Sequence, residues 1–300
     1  MPLLLSGKPV AEAVQARAKS AIDAFRKKTG RAPALATVLV GDDPASAIYV
    51  RKKGEMCARL GLGHRDFRLP ASAKQAELEK LIRELNADAA IDGILVQKPL
   101  PKQLDGQAVF DLLDPAKDVD CFSPHNAGLL AQGRARLLPC TPAGVMEILR
   151  HYKIAVEGKT ALVIGRSDIV GKPMAVLLTL ANATVTVAHS KTRDLAEHVA
   201  LADIVVAAMG KNRFLKGSLA WKKGCVVIDV GMHRGSVGSL AASSGGKLSG
   251  DVDFDTVAPK VAAITPVPGG VGPMTIAMLM ANTVRAAFVR QGFLLENSSL

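Results

Sequence analysis

The chain has 300 residues, 49% of them apolar and 22% charged, which excludes wholesale disorder and favours two domains over one. Aromatic residues make up only 4%, so the core must be built from Ala, Val, Leu and Ile, which suits an α/β protein better than a β-sandwich. The formal net charge of +11 is spread evenly, +5 over residues 1–139 and +6 over the remainder, without the basic tail or aromatic-studded stripe of a single-strand binder. Anionic small molecules account for that excess as well as a nucleic acid would, and no nucleic-acid partner is expected. Four widely spaced cysteines (Cys57, Cys121, Cys140, Cys225) give neither a zinc ribbon nor a disulfide framework. The apolar run at Leu3–Leu5 is too short for a signal peptide, and Pro266, Pro268, Gly269, Gly270, Gly272 and Pro273 break the one charge-free stretch, Val261–Val284, long enough to span a bilayer. The expectation is a cytoplasmic protein with no membrane partner.

In chain order, Val10, Val14, Ala18, Ile22 and Phe25 recur at helical spacing. Leu35–Val40 reads as a buried strand stopped by Gly41-Asp42-Asp43-Pro44, and a helix follows over Ala45–Leu60. A short strand over His64–Leu69, an amphipathic helix over Lys74–Asn86 and a buried strand over Gly93–Gln97 complete a βαβ alternation that implies a parallel sheet. From Leu100 to Cys140 the pattern dissolves into Pro-, Gly- and Asp-rich connections. A helix over Pro142–Tyr152, with Thr141 as cap, opens a second α/β series. Its strands fall at Ala161–Gly165, Thr184–Ala188, Ile204–Ala208, Val226–Val230 and Ala263–Ile264, and a last helix covers Thr275–Arg290.

Two places in this layout point to chemistry. Ala161–Pro173 reads as strand, tight turn and helix start, with Gly165, Arg166 and Ser167 in the turn and Gly171 in place of a third fingerprint glycine. Gly165 permits the turn, and the helix N-terminus that follows can face a phosphate; an ordinary βα turn capped by Ser167 is the plainer alternative. The next strand ends Ala188-His189-Ser190-Lys191-Thr192-Arg193, with no carboxylate where an NAD site usually has one. Cations and hydroxyls there suit a 2′-phosphate and favour NADP, unless the segment is only a solvated basic loop. After the last strand, Pro266–Pro273 is a side-chain-poor run that a flat ring can approach.

The second place is the helix that carries Tyr49 and Lys53, four residues apart on one face. A lysine against an aromatic in a cleft can have a lowered pKa and exchange protons near neutrality, although spacing alone is better served by a solvated Lys stacked on Tyr. Gln97 closes a buried strand at its carboxyl end, where α/β sheets bind ligands, and Asp118 and Asp120 lie in a loop. The histidines have no ligand spacing, and no metal is expected.

Taken together, these segments resemble the bifunctional methylenetetrahydrofolate dehydrogenase/methenyltetrahydrofolate cyclohydrolase family. The matching stretches are Val40–Ser46 with Tyr49, Val50 and Lys53, Asp92–Gln97 with Pro99-Leu100-Pro101, Lys117–Asp120 and Pro139–Pro142. They continue with Gly165–Ser167 and Ile169–Gly171, Gly250–Val252, and Ile264–Thr275, in the family's order. The resemblance implies two domains, an N-terminal α/β catalytic domain and a Rossmann-like doubly wound NADP-binding domain, with a cleft between them. It places the catalytic, folate-binding domain at 1–139 plus 275–300 and the NADP-binding domain at 140–274. It implies oxidation of 5,10-methylenetetrahydrofolate with NADP, then hydrolysis of the methenyl product to 10-formyltetrahydrofolate. By the same resemblance Lys53 is the catalytic lysine, Tyr49 stacks on the folate ring, Gln97 tunes Lys53 and Asp120 holds the pterin. Pro268 and Gly269 line the folate cleft, and Gly165, Arg166, Ser167, Ser190 and Met232 bind the cofactor. The substrates would be tetrahydrofolate one-carbon derivatives, polyglutamylated, and the enzyme a homodimer. Four departures from the family pattern cover five positions: Cys121 stands for a Gly, Lys98 for an apolar residue, Glu55 for a basic one, and Met232-His233 for Ile-Asn. The alternatives are a monofunctional dehydrogenase with impaired cyclohydrolase, which Lys98 and Cys121 would explain, and a non-catalytic binding protein.

Overall fold

A computed structural model of the protein describes residues 1–234 and 248–293. The elements begin β1 (Leu3–Leu4), α1 (Gly7–Thr29), β2 (Ala34–Val40), α2 (Pro44–Leu60), β3 (Gly63–Leu69), α3 (Gln75–Ala87) and β4 (Gly93–Val96). Next come α4 (Gly106–Leu112), α5 (Pro124–Ala131), α6 (Cys140–His151), β5 (Thr160–Ile164), α7 (Gly171–Leu180), β6 (Thr184–Ala188) and α8 (Leu195–Leu201). The last are β7 (Ile204–Ala207), β8 (Val226–Asp229), β9 (His233–Arg234), β10 (Leu248–Ser249), α9 (Phe254–Val257), β11 (Ala263–Ile264) and α10 (Gly272–Arg290). Among the described residues no helix is long and apolar enough to cross a membrane.

The chain forms two compact units, one of Met1–Ala11 with Thr141–Thr275 and one of Glu12–Cys140 with the described residues from Ile276 onward. In this division residues 1–11 go with the second α/β series. The reason is sheet pairing: β1 lies parallel to β11, with Leu3 opposite Ala263 and Leu4 opposite Ile264, and Leu5 is buried at its end. Two residues carry too little pattern to be seen as a strand. The expected folate-binding segment 275–300 lies outside the described residues beyond position 293.

In the unit that holds α2, the parallel sheet runs in the order β3-β2-β4. Parallel strands are covered on both faces, which is why Leu35–Val40 and Gly93–Val96 are buried almost without interruption. Asp43 starts α2 by accepting the Ser46 amide at 2.7 Å, Pro44 fits its first turn, and Gly61 ends it. The carboxylate of Asp92, fully buried, takes both guanidinium nitrogens of Arg31 at 2.6 and 2.9 Å and Arg290 at 2.9 Å. That clamp ties the start of β4 to the end of α10.

The stretch from Leu100 to Cys140, expected as connections, contains two short helices. Asp105 caps α4 by accepting the Gln107 and Ala108 amides, and Ser123 caps α5 by accepting that of Asn126. Seven and eight residues are too few to show helical periodicity, so here the caps define the helices.

The other unit is an all-parallel six-stranded sheet of order β1-β11-β8-β7-β5-β6, with β9 and β10 as a separate antiparallel pair. From β5 the chain moves outward to β6 and then returns to the other side for β7 and β8. This reversal makes the sheet doubly wound, and its switch point lies at the carboxyl ends of β5 and β7.

Asp92→Ala strands two arginines against a buried wall. It is expected to lower the unfolding free energy by about 3 kcal/mol, read as an earlier midpoint in urea denaturation.

Candidate functional site

Helix α2 presents Lys53 inward, and only 8% of that residue remains exposed. Its Nζ donates to Gln97 Oε1 at 2.8 Å, and Gln97 is oriented for this because its Nε2 donates to the Lys98 carbonyl at 2.6 Å. Burial lowers the Lys53 pKa, opposed by the negative charge of Asp120. Burial likewise raises that of Asp120, opposed mainly by Lys53. Desolvation thus makes Lys53 hold its proton less tightly than an exposed lysine does. Tyr49, half-buried, lies one turn before Lys53 on the same helix.

Asp120 sits on a heavily braced loop. Lys117, fully buried, donates to the carbonyls of Leu85, Asn86 and Asp88 at 2.8, 2.7 and 2.7 Å and so caps the end of α3. The Asp118 carboxylate accepts the Phe122 and Ser123 amides and Asn126 Nδ2. From α10, Asn282 Nδ2 donates to the carbonyls of Val119 and Leu138 at 2.8 and 2.7 Å. The Cys140 thiol lies within reach of both the Val119 carbonyl, at 3.4 Å, and the Asp120 carboxylate.

Three of the four departures from the family pattern fall in this unit. Cys121 has left-handed backbone (φ 59°), which costs a non-glycine residue about 1–2 kcal/mol and explains why glycine is usual there. The Lys98 ammonium stands 4.6 and 5.2 Å from the ring centroids of Phe110 and Phe122, a cation–π contact that leaves Gln97 Oε1 to Lys53. Glu55 faces solvent beside Arg51.

In the six-stranded unit, Gly165 ends β5 at φ 125°, and a β-carbon there would overlap the Ala208 carbonyl oxygen; only glycine fits. Its amide donates to the Ala188 carbonyl at 2.8 Å, so the residues after β5 and β6, Arg166 and Ser190 among them, emerge side by side. Both are exposed. The Ser167 hydroxyl accepts the Val170 and Gly171 amides at 3.2 Å each and thereby caps α7. Exposed Arg166 follows β5, and exposed Ser190, Lys191 and Arg193 follow β6; no carboxylate ends β6, and α7 starts just past the Gly165 turn, whose one carboxylate, Asp168, is bonded to Lys172. That donor set fits the phosphates of NADP. Met232, exposed, follows β8, while Pro268 and Gly269 precede α10, with the Gly269 carbonyl accepting the Gly7 amide at 2.8 Å.

Lys53, Gln97 and Asp120 thus come together in one unit, and Gly165, Arg166, Ser167 and Ser190 gather in the other. Sequence reasoning gave no part to Asn282, Cys140 or Lys117 individually. Asn282 left a readable signal, an amide in the apolar run Met278-Leu279-Met280-Ala281.

Models of the tetrahydrofolate dehydrogenase/cyclohydrolase catalytic domain and NAD(P)-binding domain match residues 5–120 and 139–291. The chain is 49% identical over 288 residues to the bifunctional protein FolD of Desulfovibrio desulfuricans, covering 95% of this chain and 98% of that one. It is 52% identical over 290 residues to that of Sphingopyxis alaskensis, covering 96% and 95%. Among solved structures, FolD methylenetetrahydrofolate dehydrogenase/cyclohydrolase of Campylobacter jejuni superposes with a TM-score of 0.91 at 43% identity, over 97% of this chain and 100% of the other. The Trypanosoma brucei enzyme, solved with NADP and an inhibitor, gives 0.90 at 39% identity, over 97% and 98%.

Asp120→Asn removes the charge that favours the Lys53 ammonium, so the Lys53 pKa should fall further. Acylation of Lys53 followed by peptide mass spectrometry should then reach half its maximum at a lower pH than in the unaltered chain. An unchanged or higher midpoint would contradict this coupling.

Proposed function

The chain belongs to the tetrahydrofolate dehydrogenase/cyclohydrolase family, and from that premise we propose how its residues share two reactions. It is a bifunctional enzyme that oxidises 5,10-methylenetetrahydrofolate to the 5,10-methenyl form with NADP and hydrolyses that product to 10-formyltetrahydrofolate. In our reading, residues 1–139 with 275–300 serve the folate and 140–274 the cofactor, apart from the first eleven residues, which belong with the six-stranded sheet.

NADP, when bound, supplies the acceptor for the hydride that leaves the methylene carbon. The nitrogens flanking that carbon provide the electrons, so the protein's contribution to oxidation is orientation. Asp120 accepts two N–H bonds from the amino-pyrimidinone edge of the pterin, and Tyr49 stacks on the ring. Gly165 and Ser167 shape the cofactor turn, Arg166 and Ser190 hold the 2′-phosphate, and Met232 lies against the cofactor.

Hydrolysis makes a different demand. Water must add to the methenyl carbon as it loses a proton, and the carbon–N5 bond must then break. Lys53 Nζ is the group that moves this proton, and Gln97 fixes the direction in which the amine points. The observation that carries this assignment is a nearly dehydrated lysine bonded to Gln97 and coupled to Asp120. Because the Lys98 ammonium is occupied by two aromatic rings, it does not compete for Gln97, which speaks against an impaired cyclohydrolase.

We further propose that the substrates are polyglutamylated, since a polyanionic tail suits a chain of net charge +11, and that the enzyme is a homodimer. Four free, buried cysteines support a reducing, cytoplasmic setting.

The test is an assay of both reactions, with NADP and with NAD, on the unaltered protein and on Lys53→Ala. Oxidation should prefer NADP, and hydrolysis should fall at least about a hundredfold in the variant while its melting temperature holds. Hydrolysis that survives in the variant would overturn the role of Lys53, and absence of turnover with either cofactor would overturn the cofactor reading.

A further inference from the structure

The six-stranded unit contains two buried carboxylates that the reactions above leave without a role. Asp251, fully buried, follows β10. One of its oxygens accepts the backbone amides of Met209 and Gly210 at 2.7 and 2.9 Å, and the other meets His233 Nε2 at 2.8 Å. Asp229, at the end of β8, holds Asp251 from behind: its carboxylate accepts the amides of Gly231, Asp251 and Val252, each at 2.9 Å. A β-carbon on Gly250 would overlap the Asp229 carboxylate, so the backbone approaches as closely as glycine allows. Residues 208–210, 231–233 and 250–252 are therefore tied together by two side chains.

The first of these segments leaves the carboxyl end of β7, next to β5, where the sheet reverses direction. Its Ala208 carbonyl abuts the Gly165 turn. This is the crevice in which doubly wound sheets take dinucleotides. Met209 and Gly210 are consequently wall residues of that crevice, and their amides are spent on Asp251. His233 completes the set from β9, with its side chain only 22% exposed and Ser249 of β10 paired opposite it.

We infer that His233 and Asp251 are positioning residues for the dehydrogenase reaction, fixing residues 208–210 as a rigid wall of the NADP site. The inference rests on the NADP reading and extends it to groups that need not touch the cofactor. Asp251 orders the wall through two amides, and His233 keeps the Asp251 carboxylate turned toward them. Without His233 that carboxylate retains the same two amides but loses the bond that fixes its rotation, and the wall gains freedom that binding must then remove.

The bifunctional chain carries its own control, since hydrolysis of the methenyl substrate requires no NADP. NADP binding is measured by calorimetry, together with the kinetics of both reactions, in the unaltered protein, His233→Ala and His233→Gln. His233→Ala should weaken NADP binding and raise its KM about five- to tenfold, the net worth of one ordinary hydrogen bond, with hydrolysis within about twofold of normal. His233→Gln, which keeps an N–H donor at the reach of Nε2, should recover most of the loss. Unchanged NADP binding in His233→Ala would overturn the inference. So would an equal fall of both activities with the melting temperature, because that marks a purely structural role. If the unaltered protein itself binds no NADP, the cofactor reading fails instead.

Discussion

The withdrawal of one amine from water organises the folate-binding unit. A buried ammonium is expensive, and the chain neither exposes Lys53 nor gives it a full ion pair. It supplies a neutral acceptor, Gln97, and a carboxylate, Asp120, that is itself destabilised by burial. The balance leaves the proton loosely held, and the surroundings must be stiff enough to preserve that balance. Lys117, Asp118, Asn126 and Asn282 bond their side chains chiefly to backbone groups of the loop that carries Asp120 and of the segments beside it, and Asn126 also meets the Asp118 carboxylate. Gln97 spends its amide nitrogen on its neighbour's carbonyl, so that its oxygen can face only one way.

The cofactor-binding unit solves a different problem with different means. Hydride transfer draws its electrons from the substrate and asks the protein mainly for geometry. Accordingly most features there are backbone features: a glycine turn with no room for a β-carbon, a helix capped by Ser167, and carboxylates bonded chiefly to amides. The cationic edge at Arg166, Lys191 and Arg193 adds charge recognition to this frame. One unit thus holds a buried titratable group, and the other a frame of side chains bonded to backbone.

Much of this was legible in the sequence because it is local. Buried parallel strands announce themselves as unbroken apolar runs, as Leu35–Val40 does, and the turn at Gly165 is written in consecutive residues. The spacing of Tyr49 and Lys53 placed both on one helical face. Whether Lys53 was buried or solvated was not legible, since that depends on Gln97, 44 positions away in the chain. Strand β1 escaped notice because its membership is decided by β11 at the far end of the chain. The helices α4 and α5 were hidden by brevity. The tie between His233 and Asp251 joins residues 18 apart, across segments whose pairing no periodicity reveals. The left-handed backbone at Cys121 is a product of the braced loop around it, and the residue type gives no hint of it.

The central claim is that Lys53 holds its proton more weakly than an ordinary lysine. It is tested most directly by titrating that amine in the intact, unaltered protein, with isotope-labelled lysine followed by nuclear magnetic resonance and the Lys53 signal assigned by substitution. This one resonance should titrate below the ordinary lysine value of about 10.4, while surface lysines titrate near it. A Lys53 signal that titrates with the surface lysines, or above them, would contradict the account.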